Sequence, residues 1–262
     1  MKLLSWPCRR HAPFMFVAAA VLAATSLPTH AAEPGSLLQR IGLVGLQGSG
    51  KLQTEPRAVG SFQAIELHPS MNLVLRQAAR ESVELRADDN LLALVETRVV
   101  SRSGVPTLEI RMRDHTSYSS RNPITLTVDV VSLASLSVRG SDNVSGEGLK
   151  GPALKVTVSG SDNVKLQRLG LDEASVKISG SGNADLAGKV ARLGLSISGP
   201  GDINTRELEA DEVSVSIAGS GDASVNARKT LNVSIAGSGD VDYGGDATVK
   251  TSIAGSGQVK KR

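Results

Sequence analysis

Oxygen ligands at a regular spacing are the first chemistry this sequence offers. One column of side chains reads Asn143, Asn163, Asn183, then Asp202, Asp222, Asp240, then Gln258. If the segments carrying these residues stack, three amides in a row are followed by three carboxylates in a row. Like charges about 5 Å apart repel, by about 1 kcal/mol or less in water. A cation with oxygen ligands, Ca²⁺ above all, would relieve that repulsion by bridging Asp202, Asp222 and Asp240. The alternative asks for less: Asn and Asp in turns accept hydrogen bonds from nearby backbone amides while facing water. The nine-residue GGxGxD spacing of calcium-binding nonapeptide rolls is absent. The sequence therefore requires no cofactor, and Ca²⁺ is the one this column could hold.

Other reactive groupings are thinner. Asp88 with Asp89, or Asp202 with Asp222, could serve as the paired carboxylates that glycoside hydrolysis needs. That makes a carbohydrate-active β-helix enzyme, lyase or hydrolase, the alternative function class. Sugar sites lean on aromatic platforms, however, and beyond residue 31 only Phe62, Tyr118 and Tyr243 are aromatic. His68 and His115 sit in no recognisable nucleophile arrangement. The segment Gly45-Leu-Gln-Gly-Ser-Gly50-Lys51-Leu52 nearly matches a phosphate-binding loop, but Leu52 cannot supply the hydroxyl that holds Mg²⁺. It reads instead as another Gly-Ser-Gly turn. No catalytic constellation emerges, and a non-enzymatic reading is favoured.

The elements that would position these residues are unusually legible. From Ala134 to Val259 one phrase is written seven times: LSVRGSDNV, VTVSGSDNV, VKISGSGNA, LSISGPGDI, VSIAGSGDA, VSIAGSGDV and TSIAGSGQV. Its first glycine falls at Gly140, Gly160, Gly180, Gly199, Gly219, Gly237 and Gly255, a period of 18 to 20 residues. A fixed period of this size marks stacked units, each too small to bury a core alone. Ahead of each glycine, apolar residues alternate with polar ones, as in Val213, Val215 and Ile217, the pattern of a strand with one buried face. Two positions after the glycine the column reads Asp142, Asp162, Gly182, Gly201, Gly221, Gly239 and Gly257. Gly and Asp both tolerate a left-handed backbone, so one shared turn conformation is expected. The simplest body satisfying every column is an all-β, parallel solenoid with one repeat per coil. Leucine-rich repeats have a similar period but need a longer leucine pattern and a helical return, and segments such as Lys165 to Asp172 lack a 3.6-residue periodicity.

Around the repeats, residues 1–31 read as an export signal. Lys2, Arg9 and Arg10 supply the positive start, Phe14 to Leu27 the apolar run, and Thr29-His30-Ala31 the cleavage site. That run is short for a membrane span, so no stable span is expected after cleavage. Three of the 29 Lys and Arg lie in this segment, leaving 26 against 26 Asp and Glu, so the exported chain is formally neutral. The electrostatic case for nucleic acid disappears with the signal. Cys8, the only cysteine, goes too. Residues 32–45 form a leader, and 46–262 a single domain whose less regular half, 46–133, covers the first end of the stack. Asp88-Asp89-Asn90 before Leu91-Leu92 caps a short helix or continues a turn. Lys260-Lys261-Arg262 follow the last copy and protect a strand edge, or offer a basic contact for an acidic partner. Such an end could also pair with another copy.

With these residues in hand, the chain resembles the head GIN domain family of exported bacterial proteins, labelled auto-transporter adhesins. The resemblance rests on Arg57-Ala-Val-Gly-Ser-Phe62-Gln-Ala-Ile65, on Asp89-Asn-Leu-Leu92, and on Ile124-Thr-Leu-Thr-Val128 leading to Leu133 and Leu136. The closing series of Gly-Ser-Gly-Asp turns completes it, over roughly residues 46 to 259. It implies a right-handed parallel β-helix, and it carries over no catalytic residues. Nothing in the sequence reads as the eight or more amphipathic strands of a translocating barrel. The expectation is an exported β-solenoid resident in the periplasm or cell envelope. It would bind an unknown protein or polysaccharide through its polar surface.

Overall fold

In the computed structural model, residues 45–68, 71–114 and 116–262 are described. Residues 1–31, where an export signal is expected, the expected leader up to residue 44, and His115 lie outside the described residues. What is described is all-β, with no α-helix, and forms a β-solenoid of about six turns. The seven phrases of the sequence differ slightly from this count.

Side chains of the alternating strands stack into continuous internal columns. One runs Leu136, Val156, Val176, Leu195, Val215, Val233, Thr251, each residue opposite the next in parallel register. A second runs Val138, Val158, Ile178, Ile197, Ile217, Ile235, Ile253 in the same ladders. All members up to Ile235 are buried, and each such aliphatic side chain contributes about 1.5–3 kcal/mol relative to exposure. The later strands, such as Asn163–Gly180 and Ile203–Gly219, are long because each wraps around the coil. They turn the corner at register shifts, for example between Leu166 and Leu169, beside Arg168 at φ 54°.

The first half of the chain departs from expectation in an informative way. It covers the end of the stack, and it also extends it by two coils. Ala64–Leu67 pairs in parallel with Ser135–Gly140, so Ile65 and Leu67 continue the two internal columns. Val105–Met112 then pairs in parallel with Ala64–Leu67, adding Leu108 and Ile110. On the next face, Asn72–Gln77 lies between Asn143–Glu147 and Thr125–Val130. The coil made first in sequence is thus sandwiched between one made later and the repeats. Three antiparallel strands close this end: Ser82–Asp88 on Thr125–Val130, Leu52–Pro56 on Ser82–Asp88, and Val95–Arg102 on Val105–Met112. The last pair is a hairpin through Ser103 and Gly104 at φ 50° and 83°, the two-residue turn whose twist matches paired strands. Leu92–Leu94 is a single 3-10 turn. Gly45 to Leu52 is not a stacked turn as expected; Leu46–Gln47 instead pairs with Tyr118–Ser119 in a separate two-stranded sheet.

Candidate functional site: the turn corner and the outer faces

Each turn begins at its first glycine, and there the backbone leaves no choice. Gly140, Gly160, Gly180, Gly199, Gly219, Gly237 and Gly255 all lie between φ 123° and 142°. A Cβ on Gly219 would also stand 2.6 Å from the carbonyl oxygen of Gly199. The recurrent small column two positions on has a different cause from the one expected. Gly182, Gly201, Gly221, Gly239 and Gly257 are not at positive φ. They are small because a Cβ would meet the carbonyl of the preceding coil, at 2.1 Å for Gly221 against Gly201.

Asp142 and Asp162 stand in this column in place of glycine. Both are buried, at 1% and 0% exposure. Oδ1 of Asp142 accepts from the Met71 amide at 2.6 Å, and Oδ1 of Asp162 accepts from the Asp142 amide at 2.8 Å. Oδ2 of Asp162 is buried without a hydrogen-bond partner. Burial pushes this carboxyl above its usual range, against the lowering pull of nearby backbone amides.

One position further on, the oxygen column forms a continuous ladder, and it starts earlier than the sequence showed. The amide of Asn143 donates to Asn72 at 3.3 Å, Asn163 to Asn143 at 3.3 Å, and Asn183 to Asn163 at 3.1 Å. Asn72 lacks the glycine that marks the other turns; its only signal was an Asn ahead of alternating Leu73 and Leu75. In the carboxylate part, the backbone amide of Asp222 donates to Asp202 Oδ1 at 2.9 Å. Those of Asp240 and Gln258 donate to Asp222 and Asp240 at 2.8 Å each. Every carboxylate thus supplies an acceptor to the following coil. Parallel stacking spaces neighbours by about 4.8 Å, and ligand oxygens sit 2.3–2.6 Å from Ca²⁺. The groove beside the row also holds Arg206, 3.7 Å from Asp242 and hydrogen-bonded to Ser224 at 3.1 Å.

Among the described residues, Glu66, His68 and Glu109 have potential ligand atoms within 4.8 Å of one another. This trio lies on the two coils contributed by the first half of the chain, and sequence spacing gave no hint of it. Arginines already meet its charge. Arg98 bonds Glu109, Arg102 bonds Glu109 at 2.9 Å and approaches Glu66 at 3.4 Å, and Arg139 approaches Glu66 at 3.3 Å. Burial pushes the Glu109 carboxyl up, and Arg98, Arg102 and Arg111 outweigh that push and hold it below the usual range. The arrangement is an ion-pair network that locks the hairpin onto the stack.

The other candidates are engaged as well. Asp88 is buried and accepts from Ser120 Oγ at 2.6 Å and Asn122 Nδ2 at 2.7 Å. Asp89 accepts from Ser49 Oγ at 2.6 Å, and Asn90 bonds both the Ser49 amide and the Gln47 carbonyl. The Gly-Ser-Gly-Lys loop is thereby clamped by Asp88 to Asn90. Hydrogen bonds from Ser120 and Ser49, respectively, hold both carboxyls below the usual range, the opposite of what a general acid needs. His68 stands 3.6 Å from Glu66.

Outward positions form flat polar arrays. One column reads Ser137, Thr157, Lys177, Ser196, Ser216, Ser234, Ser252 in register. No helix among the described residues is long and apolar enough to cross a membrane.

The family profile described as "Putative auto-transporter adhesin, head GIN domain" matches residues 61–247. No curated protein matches the chain. Among solved structures, a "putative adhesin" from Bacteroides fragilis is 27% identical with a TM-score of 0.77, covering 83% of this chain and all of that one. A "putative lipid binding protein" from Parabacteroides distasonis is 26% identical with a TM-score of 0.69, covering 84% of this chain and all of that one. A "putative adhesin" from the same species shares the fold at 23% identity and a TM-score of 0.67, over 84% of this chain and all of that one. With most of its length matched by the family profile and its solenoid matched by these structures, the chain belongs to the head GIN domain family.

Proposed function

We propose that the chain is an exported, non-enzymatic binding module of the cell envelope. It acts as a rigid polar scaffold that contacts polysaccharide or protein through many weak hydrogen bonds. The observation that supports this reading most directly is the outer array of hydroxyl side chains, held in fixed register over the coils. Such a face is rigid before it binds, so little ordering entropy is lost on contact. The structural duties of Asp88, Asp89 and the Asp202 row weigh against using them as a hydrolytic pair. Adhesion accords with the descriptions of the family and of the Bacteroides fragilis structure. The lipid-binding description of one Parabacteroides structure finds less support here. Among the described residues, the large exposed apolar ones are Leu52, Val105, Val131 and Ile253, with Leu52 and Val105 at one end of the stack and Ile253 at the other.

Two measurements test the reading. A panel of envelope and plant polysaccharides is incubated with the protein, and both retention and released product are followed. Retention without product is expected; release of oligosaccharide would establish the carbohydrate-active enzyme instead. Protease treatment of intact cells, with a periplasmic marker as control, then separates surface display from periplasmic residence. Digestion makes adhesion to other cells the working role, and protection assigns the binding to the envelope's interior.

A further inference from the structure

Most strand and turn glycines in the stack are demanded by the backbone; Gly151, Gly170 and Gly194 are not, and Gly170 and Gly194 each line an open groove. Gly194 lies inside Asn183–Gly199 without a positive φ. A Cβ there would meet nothing closer than Ser175 Oγ at 4.0 Å. Glycine inside a strand is destabilising, and where sterics do not require it, it marks a place that something approaches closely. Gly194 helps to line an open surface groove of about 270 Å³. Ser175, Gly194, Ser214 and Asn232 succeed one another in register as its floor, a trough about 14 Å long at strand spacing. Beside the floor run Glu173, Arg192 and Glu212, also in register. Arg192 bonds Glu173 at 3.2 Å, whereas Glu212 is exposed and has no ion-pair partner among the described residues.

We infer that this trough is a subsite for one or more units of a neutral carbohydrate chain. The inference rests on the surface-binding reading above and names its ligand and its place. Hydroxyls, an amide, a carboxylate and a guanidinium line it, offering donors and acceptors at close spacing, as vicinal sugar hydroxyls require. A sugar ring would lie over Gly194, where any side chain would lift it from the floor. The floor strands are paired on both sides, so no free edge exists to which a peptide strand could add. The formal charge of the wall, one arginine against two glutamates, disfavours polyuronates and anionic headgroups.

The test uses the purified chain with cellotetraose, mannotetraose, N-acetylchitotetraose and tetragalacturonate as probes, by calorimetry. Binding of at least one neutral tetraose is expected, without binding of tetragalacturonate. Gly194→Gln fills the trough from a position where a Cβ has space, and Glu212→Gln removes the free acceptor charge. Each is expected to weaken that binding at least tenfold while leaving the melting temperature within two degrees or so, as for a surface substitution. Neutral binding that both variants retain overturns the trough and leaves the surface-binding reading standing. Tetragalacturonate binding overturns the neutral class. Failure of every tetraose to bind overturns the subsite, and if the polysaccharide panel is not retained either, the carbohydrate reading falls with it.

Discussion

At the scale of single residues, the turns carry the sharpest predictions. The Asp162 carboxyl is raised by burial, so ionising it opposes folding at neutral pH, and that opposition is relieved as pH falls through its folded-state pKa. Asp162→Asn keeps the Oδ1 acceptor for the Asp142 amide and removes the titration. The stability of Asp162→Asn relative to the parent is expected to be highest at pH 7 and to decline on acidification to the ordinary Asp range. Thermal melts across that series check this, and a difference that stays constant with pH would sink it. The two kinds of glycine separate just as cleanly. Gly219→Ala is expected to cost about 1–3 kcal/mol from its backbone conformation, before the clash with Gly199 is added. Gly194→Ala should gain about 0.4–1 kcal/mol, and urea unfolding measures both. Asp222→Ala removes the acceptor of the Asp240 amide in an exposed hydrogen bond and should cost about 0.5–1.5 kcal/mol, whereas Asp222→Asn retains an acceptor and costs less. Because each row member already serves an amide, millimolar calcium is expected to leave the melting temperatures of parent and Asp222→Asn unchanged. A calcium-dependent rise lost in Asp222→Asn would restore the bridging role.

At the scale of elements, burial falls abruptly at the last coil. Val233, Ile235 and Val241 are buried, while their successors Thr251 and Ile253 are exposed and Val259 is half-buried. Ile217→Ala should cost about 2–5 kcal/mol as a cavity in a packed column, while Ile253→Ala should stay within about 0.5 kcal/mol. Hydrogen exchange is expected to be slow across Val213 to Ile217 and fast across Thr248–Gly255, which has a neighbour on one side only. The sequence made this part of the molecule legible, because every coil from Gly140 onward repeats its alternation and its glycine. At Ala64–Leu67 and Val105–Met112 the alternation marks strands, but nothing in it marks members of the stack. Both strands lack the turn glycine, and their neighbours along the axis are out of chain order, which no period can express. The same reason hid Asn72 in the ladder, and Glu66 beside Glu109. The second turn column was legible as small or acidic, but its cause was close approach between coils, a distance that no single coil contains.

At the scale of the whole molecule, the two ends are treated differently. Antiparallel strands and arginine pairs close the first, and the last presents Thr248–Gly255 and Val259–Lys261 with one edge unpaired among the described residues. Lys261 reaches back to Asp246 at 3.2 Å and Arg262 to the Val225 carbonyl at 3.2 Å, so the terminal cations crowd this end. Lysine on an exposed strand edge disfavours edge-to-edge pairing of copies. Removing Lys260 to Arg262 is therefore expected to increase self-association, read by light scattering against concentration, and an unchanged molar mass would show that the cations do not govern it.

The interleaved coils at the first end also dictate a sequence of events in time. Ala64–Leu67 cannot be flanked on both sides until Val105–Met112 and Ser135–Gly140 have been delivered. Closing those loops is the slow, entropically unfavourable step, whereas each later coil needs only the one before it. A chain emerging from an export channel amino end first would thus complete the flanking of its first coil only when about residue 147 has crossed. The remaining coils would then zip onto that seed at the pace of delivery.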